Sequence, residues 1–266
     1  MGYQHILWSE VDGVAILTLN RPERLNSLDA DLIEEMLHAV ARIESGRSRA
    51  RCLVLTGAGR GFSSGANLDA GVATMGLDGG PADLGRALET HFNLLLERLL
   101  ALPVPLVTAV NGPAAGAGSS YALAGDIIIA ARSAYFLQAF ANIGLVPDVG
   151  ATWMLPRMVG RVRASRMMLL GERIAAEQAL EWGMVTEVVE DEALLQRAME
   201  IAIRLANGPT KTLAMIRHGI RHALELPLTD ALALEARNQR EAVRTADFAE
   251  GVNAFLEKRP ARFGGC

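Results

Sequence analysis

The chain has few of the residues that build metal centres, disulfide frameworks or nucleic-acid surfaces. Its 266 residues include two cysteines, Cys52 in an apolar run and Cys266 at the last position. Cysteines so placed offer neither the spacing of a metal site nor a disulfide framework. Lysine and arginine total 26 against 30 aspartates and glutamates, which leaves a net charge of −4. We therefore expect no bound metal and no nucleic-acid partner.

Targeting segments and long apolar runs are also missing from the sequence. The first ten residues, MGYQHILWSE, lack the basic start and the continuous apolar run of a signal peptide. No apolar stretch reaches membrane-spanning length without interruption. The sequence therefore predicts a cytoplasmic protein with no membrane partner. Half of the residues are hydrophobic, which is enough for a chain of this length to bury a sizeable core.

The first part of the sequence alternates strand patterns with helix patterns. Two strand-like stretches flank Asp12 and Gly13, and this arrangement predicts a β-hairpin. Asp29 is the predicted N-cap of a helix whose apolar residues recur at helical spacing. A long helix is predicted from near Ala82 to about Leu102. Further apolar runs predict strands at 51–57, 105–111 and 185–190. The fold class is therefore α/β.

The pattern becomes helical from about residue 161 onward. We place a boundary near residue 200, with an α/β core at 1–200 and a helical C-terminal region at 201–266. An apolar stripe in that region could pack within the chain or between subunits. Its members are Leu213, Ile216, Ile220 and Leu224.

One acidic residue near the middle of the chain stands in apolar surroundings. Asp148 lies in the run AYFLQAFANIGLVPDVG, beside Leu145, Val146 and Val149. A carboxylate among such residues loses hydration, so its pKa rises toward the range in which it accepts and returns a proton near neutral pH. This pattern is typical of a general base. The structural alternative is an aspartate that caps the helix after it.

Two glycine-rich turns each follow an apolar strand. They read GFSSGANLDA at 61–70 and GPAAGAGSS at 112–120. If the two strands are neighbours, free amides of both turns converge on one point and can hold a developing oxyanion. Each such donor is typically worth about 3 kcal/mol of barrier. Either turn alone would be interpreted as an ordinary connection.

The first glycine-rich turn also fits the GxSxG pattern of serine hydrolases. Ser63 would be the nucleophile, with His91, His218 or His222 as its partner. A nucleophile elbow requires a strand, a sharp turn and then a helix, whereas the next residues, ANLDAGVATMGLDGG, form helices poorly. A serine hydrolase is kept as the rival enzyme class.

Two other residues have structural interpretations. Asp126 precedes the apolar run IIIAA, and we expect it to accept hydrogen bonds from backbone amides rather than to transfer protons. Trp153 follows Asp148 by about one helical turn, and we expect it in the core.

The sequence resembles one enzyme family over nearly its whole length. The pieces NRPERLNSL, GFSSGANL, VNGPAAGAGSSYALAGDIIIA, LGERIAAEQALEWGMV and EGVNAFLEKRPARF are similar to the enoyl-CoA hydratase/isomerase (crotonase) superfamily. The resemblance implies a crotonase-like spiral of ββα units with a helical C-terminal trimerisation region, assembled as a homotrimer or a dimer of trimers. It also implies an acyl-CoA thioester substrate, with coenzyme A as part of the substrate and no separate cofactor. The thioester oxygen would lie between the backbone amides of Ala66 and Ala117.

The resemblance favours isomerisation over hydration. Hydratases of the family carry two glutamates, and the matching positions here are Ser120 and Phe140. Water addition needs a base for water and an acid for carbon, and both groups are missing. Asp148 stands where isomerases of the superfamily carry their single acid, which serves first as base and then as acid. The run IGLVPDVGATWMLPRMVGRVRA resembles the isomerases that convert ring-1,2-epoxyphenylacetyl-CoA in phenylacetate degradation.

Three alternatives to this isomerase stay open. One is a hydratase-family member of other acyl-CoA specificity, and a second is a non-catalytic acyl-CoA-binding scaffold. A third is dehalogenation of an aroyl-CoA by the same aspartate, which would require aromatic and histidine groups that the residues around His91 do not establish.

The resemblance also assigns contacts to coenzyme A. Arg24 matches a position that contacts the CoA phosphates. Phe255 and Lys258 match a C-terminal segment near the adenine end, often across a subunit contact, although a solvated basic side chain is the alternative for Arg24 and Lys258. The other implied substrate contacts are Leu25, Ser64, Ala66, Asn67, Leu68 and Gly118.

Overall fold

A six-stranded sheet forms the centre of the protein in a computed structural model that describes residues 2–67 and 83–266. Its strand order is β1-β2-β3-β4-β6-β9, and a second sheet has the order β5-β7-β8. Strands β1 and β2 pair antiparallel, whereas the pairs from β2 to β9 are parallel. The strands are β1 (Ile6–Val11), β2 (Val14–Leu19), β3 (Cys52–Gly57), β4 (Leu106–Val110), β5 (Ala114–Ala115), β6 (Ile127–Ala131), β7 (Tyr135–Leu137), β8 (Arg173–Ala175) and β9 (Glu187–Val189).

The predicted hairpin and the predicted long strands are confirmed. Asp12 and Gly13 both have positive φ, at 51° and 76°, as a two-residue turn between twisted strands requires. Strands β3 and β4 are mostly apolar, with one threonine each, and are buried almost completely, which is typical of parallel strands covered on both faces. The α/β class is confirmed. The strands of the second sheet have two or three residues each, too few to be predicted from a periodic pattern.

The first helix, α1 (Ala30–Glu44), begins as predicted. The Asp29 carboxylate accepts a hydrogen bond from the Leu32 amide at 3.1 Å, which satisfies one of the free N–H groups of the first turn. Leu32, Ile33 and Met36 are fully buried. This helix therefore covers one face of the central sheet with the apolar residues that its spacing predicted.

The helix predicted from Ala82 to Leu102 consists of three consecutive parts. They are α2 (Leu84–Ala87), a π-helical turn (Leu88–Phe92) and α3 (Asn93–Ala101). Ala82, the first predicted residue, lies outside the described part of the chain. Turns of π-helix are rare and frequently occur at functional sites, and the Phe92 carbonyl here accepts the Tyr121 hydroxyl at 2.9 Å.

Two helices follow the glycine-rich turn at 112–116. The short α4 (Ala117–Ala122) is entirely buried. The helix α5 (Ala151–Leu170) is interrupted at Gly160, whose φ and ψ of 77° and 158° are not helical. Trp153 is partly buried and packs against the core, as expected.

The C-terminal part is helical, as predicted. The helices are α6 (Ala176–Glu181), α7 (Leu194–Ala206), α8 (Thr210–Ala223), α9 (Leu228–Ala242) and α10 (Ala246–Leu256). Residue 200 lies within α7, and that helix packs across the central strands. The division of the chain into two domains at that point stays a prediction.

Candidate active site

The loops at the carboxyl ends of the parallel strands meet at one edge of the central sheet. This edge is where open α/β sheets generally bind ligands. Asn26, in the loop after β2, holds two of these loops together. Its side-chain amide donates to the carbonyl oxygens of Ala58 and Gly61, at 2.9 and 2.8 Å, and its side-chain oxygen accepts from the Arg21 amide at 2.8 Å. Asn26 was not identified from the sequence, because its hydrogen bonds join segments that are distant in sequence.

The two glycine-rich turns are in direct contact, as their positions after neighbouring strands predicted. The Ala115 amide donates to the Ser63 carbonyl at 2.9 Å. A Cβ built on Gly65 would lie 2.7 Å from the Ala115 oxygen and 3.5 Å from the Gly116 Cα. Gly65 and Gly116 have φ of 90° and 52°, where a residue with a side chain is disfavoured. The close approach of the two backbones therefore requires glycine at position 65, whereas at position 116 glycine is favoured by the positive φ.

The residues after these glycines carry the two predicted oxyanion donors. The neighbours of Ala66 form the backbone pairing with Leu28, through Leu28 N to Gly65 O and Asn67 N to Leu28 O, both at 2.8 Å. The Ala66 amide itself has no hydrogen-bond partner within 2–67 and 83–266. Ala117 is the first residue of α4, and its amide is likewise unpaired within those ranges. The turns therefore offer two unused N–H groups close together.

The serine-hydrolase interpretation is wrong. Ser63 is fully buried, and its hydroxyl donates to the Asn26 carbonyl at 2.8 Å and accepts from the Gly65 amide at 3.2 Å. A Cβ on Gly118 would lie 2.6 Å from the Ser63 Cβ, so α4 packs directly on this serine. Ser63 is a structural residue that shapes the turn, because both of its hydrogen bonds are made to backbone atoms of the turn or of its neighbour.

Asp148 is partly buried and its carboxylate has an unsatisfied oxygen. The Oδ1 atom is buried and has no hydrogen-bond partner among the described residues. Burial raises the pKa of Asp148 to about 6, as expected of a carboxylate that loses water without gaining a counter-charge. A group with this pKa is ionised at neutral pH and can still take up a proton, which is what general acid–base catalysis requires.

The apolar residues expected to desolvate Asp148 are only partly responsible. Val149 is buried, with 1% of its surface exposed, whereas Leu145 and Val146 are 37% and 79% exposed. These two residues turn outward because the segment between β7 and α5 forms a 3-10 turn that ends at Gly144 in a left-handed conformation. In the folded chain, Asp148 faces α4 instead. The Ser120 hydroxyl donates to the Asp148 main-chain oxygen at 3.3 Å, and burial together with the nearby Asp148 raises the pKa of Tyr121.

The positions that match the two hydratase glutamates carry no acid. Phe140 is 8% exposed, and its ring lies 3.5 Å from where a Cβ on Gly116 would be. Ser120 is fully buried. Phe140 therefore forms an apolar wall beside the Gly116 turn, and Ser120 places a hydroxyl on α4 next to the turn of Asp148. Gln138, on the same segment as Phe140, is fully buried, and both polar atoms of its side chain lack partners among the described residues.

The predicted coenzyme A contacts fall into two groups. Arg24, Leu25, Ser64 and Asn67 lie together on the edge formed by the loops after β2 and β3, where the Ser64 amide donates to the Leu25 carbonyl at 2.8 Å. Arg24 and Ser64 are exposed. Leu68 lies outside the described residues. These positions stay predictions as ligand contacts.

The second group lies at the C-terminal end of the chain. Phe255 is in the last turn of α10 and is 83% exposed. Lys258 follows this helix with a left-handed φ of 54°, and its amide donates to the Phe255 carbonyl at 3.2 Å. The contact of both residues with ligand stays a prediction.

Asp126 has the structural role that was expected of it. Its Oδ2 atom accepts a hydrogen bond from the Leu106 amide at 2.7 Å and forms an ion pair with Arg217 of α8. Arg217 also donates to the carbonyl oxygens of Leu99 and Leu102. Burial raises the pKa of Asp126, and the Arg217 charge opposes this effect. Asp126 therefore ties the C-terminal helices to the sheet.

Both ring nitrogens of His91 contact other side chains. Its Nδ1 and Nε2 atoms contact the Thr90 hydroxyl at 2.7 Å and the Glu34 carboxylate at 3.4 Å.

Within the described ranges, no group of three or more His, Cys, Asp or Glu side chains is arranged to hold a metal ion. No described helix is long and apolar enough to cross a membrane.

The site combines two touching glycine-rich turns at the ends of parallel strands with a partly buried carboxylate beside α4, parts that are typical of an enzyme using acid–base chemistry. Residues 9–265 match the enoyl-CoA hydratase/isomerase family, and the chain belongs to this family. It is 49% identical to 1,2-epoxyphenylacetyl-CoA isomerase of Escherichia coli (strain K12), over 95% of each chain. It is 45% identical to a Rhodobacter capsulatus protein named "probable enoyl-CoA hydratase", over the full length of both.

A solved structure also shares the fold. The crystal structure of enoyl-CoA hydratase from Bacillus anthracis has a TM-score of 0.92 at 30% identity, covering 99% of this chain and 100% of that one. The predicted crotonase fold is therefore confirmed. The chain is an enzyme of the enoyl-CoA hydratase/isomerase family, which acts on acyl-CoA substrates.

Proposed function

We propose that this protein is an acyl-CoA isomerase that uses Asp148 as its single acid–base group, and that its substrate is ring-1,2-epoxyphenylacetyl-CoA. The observation that carries the proposal is the unpaired Oδ1 of Asp148, in a site where Ser120 and Phe140 stand at the two glutamate positions of hydratases. The 49% identity to an isomerase of that name supports the choice of substrate. The product would be the isomeric oxepin-CoA.

The same group would move a proton between two carbons of an enoyl thioester. Asp148 would remove a proton from the α- or γ-carbon, and the electron pair of the broken C–H bond would move to the thioester oxygen. The Ala66 and Ala117 amides would hold that enolate. Protonated Asp148 would then return the proton two carbons away, so the atoms balance and no separate cofactor is needed.

The apolar wall supports isomerisation rather than hydration. Phe140 is buried beside the Gly116 turn, and water excluded from a site cannot compete for the proton or add to the double bond. We propose that coenzyme A lies along the edge that carries Arg24, Leu25, Ser64 and Asn67. Leu68 and Gly118 are the other proposed substrate contacts. Phe255 and Lys258 would contact the adenine end.

We also propose a homotrimer or a dimer of trimers. Large apolar side chains stand exposed on the C-terminal helices, and contiguous exposed apolar patches mark protein interfaces. A second copy of this chain is the occupant that the family resemblance implies. Those 50% or more exposed on α8, α9 and α10, or directly after α8 in the case of Leu224, are Ile216, Ile220, Leu224, Leu228, Leu232, Phe255 and Leu256.

Substrate comparison tests the proposed reaction. The protein is incubated separately with the phenylacetyl-CoA epoxide, a 3-enoyl-CoA and a 2-enoyl-CoA, and the products are identified by mass and by NMR. We expect isomerisation of the first two and little hydration of the third. Asp148→Asn is expected to lower the isomerisation rate by about 10²–10⁴-fold, the range for loss of a general acid–base group. Efficient hydration of the 2-enoyl-CoA by both proteins would contradict the proposal.

Two glycine variants test the assignment of the Ala66 amide as an oxyanion donor. Gly65→Ala places a methyl group 2.7 Å from the Ala115 oxygen, whereas a Cβ at Gly144, which also has a positive φ, meets nothing within 4 Å. We expect Gly65→Ala to lower kcat by about 10²–10³-fold, as displacement of an oxyanion donor does. Gly144→Ala carries a similar backbone strain and serves as the control. Equal kinetics for the two variants would exclude the Ala66 amide from the site.

A further inference from the structure

The backbone next to Asp148 has a conformation that its residue type disfavours. Val149 has a φ of 45°, in the left-handed region where a β-branched residue is a genuine outlier. The other non-glycine residues with positive φ among the described ones are Asp12, Leu25, Asn26 and Lys258. Asp and Asn tolerate this region, and Val149 alone in the set is branched at Cβ. Strained residues of this kind persist only where the surroundings hold them, and they cluster at active sites.

Packing holds Val149 in this conformation. Its side chain is 1% exposed and belongs to the hydrophobic core. Gly150 follows with a φ of 72°, and a Cβ there would lie 2.6 Å from the Leu96 Cδ2 of α3. Two consecutive left-handed residues thus reverse the chain between Asp148 and the start of α5. The buried valine anchors that reversal.

A second contact fixes the same turn from the side of α4. The Asp148 main-chain oxygen accepts the Ala151 amide at 3.0 Å and the Ser120 hydroxyl at 3.3 Å. Ser120 lies one helical turn after Ala117, whose amide is the proposed oxyanion donor. The hydrogen bond from Ser120 therefore connects the turn that carries the carboxylate to the helix that carries the oxyanion donor.

We propose that Val149 and Ser120 are positioning residues for Asp148: the buried valine holds the left-handed turn that keeps the carboxylate poorly hydrated, and the serine fixes this turn relative to the Ala117 amide. The expected changes in kcat rest on the proposed function, whereas the expected changes in the hydration of Asp148 can be measured without substrate. A displacement of about 1 Å at a reacting group can cost about 10²-fold in rate, so small changes in this turn are expected to have large kinetic effects.

The test uses substitutions that separate packing from backbone freedom. Val149→Gly removes the anchor and frees the backbone, Val149→Ala removes most of the packing but keeps a Cβ, and Ser120→Ala removes the hydroxyl. Asp12→Gly is the control, because Asp12 is an exposed left-handed residue in the hairpin turn between β1 and β2. Thermal unfolding of each variant shows whether it is folded.

The first measurement is the pKa of Asp148 in the free protein, from the 13C shift of its carboxyl group as pH changes. Tyr121 is the titratable group whose pKa responds to Asp148 among the described residues, and burial keeps it protonated across this range. We expect the pKa of Asp148 in Val149→Gly to fall by about one unit, toward the ordinary carboxyl range, because the group regains water. Smaller falls are expected for Val149→Ala and Ser120→Ala, and none for Asp12→Gly.

The second measurement is kcat and KM for isomerisation. We expect kcat to fall by about 10- to 10²-fold in Val149→Gly and by less in the other two variants, with KM within about twofold of the parent. An unchanged Asp148 pKa and an unchanged kcat in folded Val149→Gly would overturn the inference. If Val149→Gly does not fold, an unchanged Asp148 pKa together with an unchanged kcat in Val149→Ala and Ser120→Ala would overturn the inference instead. Full activity of Asp148→Asn would refute the proposed function alone, because the pKa measurement does not depend on it.

Discussion

Asp126 and Asp148 are two aspartates whose pKa is raised by burial, and they differ in the partners that the described residues offer their carboxylates. Asp126 accepts a backbone amide and pairs with Arg217, whereas the Oδ1 atom of Asp148 is buried without a partner among the described residues. A paired carboxylate stabilises the fold, because breaking such a pair leaves an uncompensated charge. An unpaired one costs stability and remains available to react. The presence or absence of partners, more than burial itself, separates a structural acid from a candidate catalytic one.

The dependence of activity on pH should show the largest difference between the two residues. The unprotonated form of Asp148 is the base, so kcat/KM is expected to fall as pH drops below about 6, the pKa of its carboxyl group. The fall should approach tenfold per pH unit. Asp126→Asn is expected to keep this profile, because Asp126 does not belong to the site. Measurement of initial rates between about pH 4.5 and 8 checks both statements, and a shift of the profile in Asp126→Asn would invalidate the comparison.

Removal of the Asp126 charge should lower stability instead. The Arg217 side chain is 8% exposed, and in Asp126→Asn it would keep its charge without a counter-ion. We expect the free energy of unfolding to fall by about 2 kcal/mol, measured by urea denaturation. Glu241→Gln is the matched control, since the Glu241 and Arg244 side chains are 64% and 70% exposed. Exposed pairs contribute at most about 1 kcal/mol.

Removal of the Asp148 charge should instead raise the free energy of unfolding, and by a smaller amount. The carboxyl pKa is about 6 in the folded protein, against a usual value of 3.8. The folded state therefore binds more protons than the unfolded state between these values, and the stability of the parent falls as pH rises through this window. Asp148→Asn has no carboxylate, so the free-energy cost of burying the ionised group is absent from this variant. We expect it to be more stable than the parent by about 1–2 kcal/mol above about pH 6.5, with the difference fading below about pH 4. Equal Tm values at both pH extremes would contradict the burial of this charge.

Much of the frame of the site follows from sequence patterns. The Asp29 cap, the Asp12-Gly13 hairpin and strands β3 and β4 each have a local signal that the structure confirms. The two glycine-rich turns were predicted to converge because each follows a buried strand, and Gly65 and Gly116 are in contact. The raised pKa of Asp148 also agrees with the prediction.

Other features depend on contacts that no local pattern contains. Leu145 and Val146 were expected around Asp148 but are exposed, because apolar composition does not reveal which way an irregular segment turns. Strand β5 has two residues, too few for a periodicity to be seen. The hydrogen bonds of Asn26 and the conformation of Val149 arise from residues distant in sequence, and a preference scale would assign valine to a strand.

The short helix α4 has a consequence for how such an enzyme can change its reaction. Under the proposed function its first residue, Ala117, would supply a main-chain N–H to the substrate, and every residue of the helix is buried. A main-chain donor survives any replacement of its own side chain that still fits the packing. A new acid or base introduced at Ser120 or Phe140 would therefore act beside a backbone oxyanion hole that needs no change. The same fold can thus catalyse different reactions after a few side-chain substitutions, while the main-chain N–H donors that would stabilise the enolate stay the same.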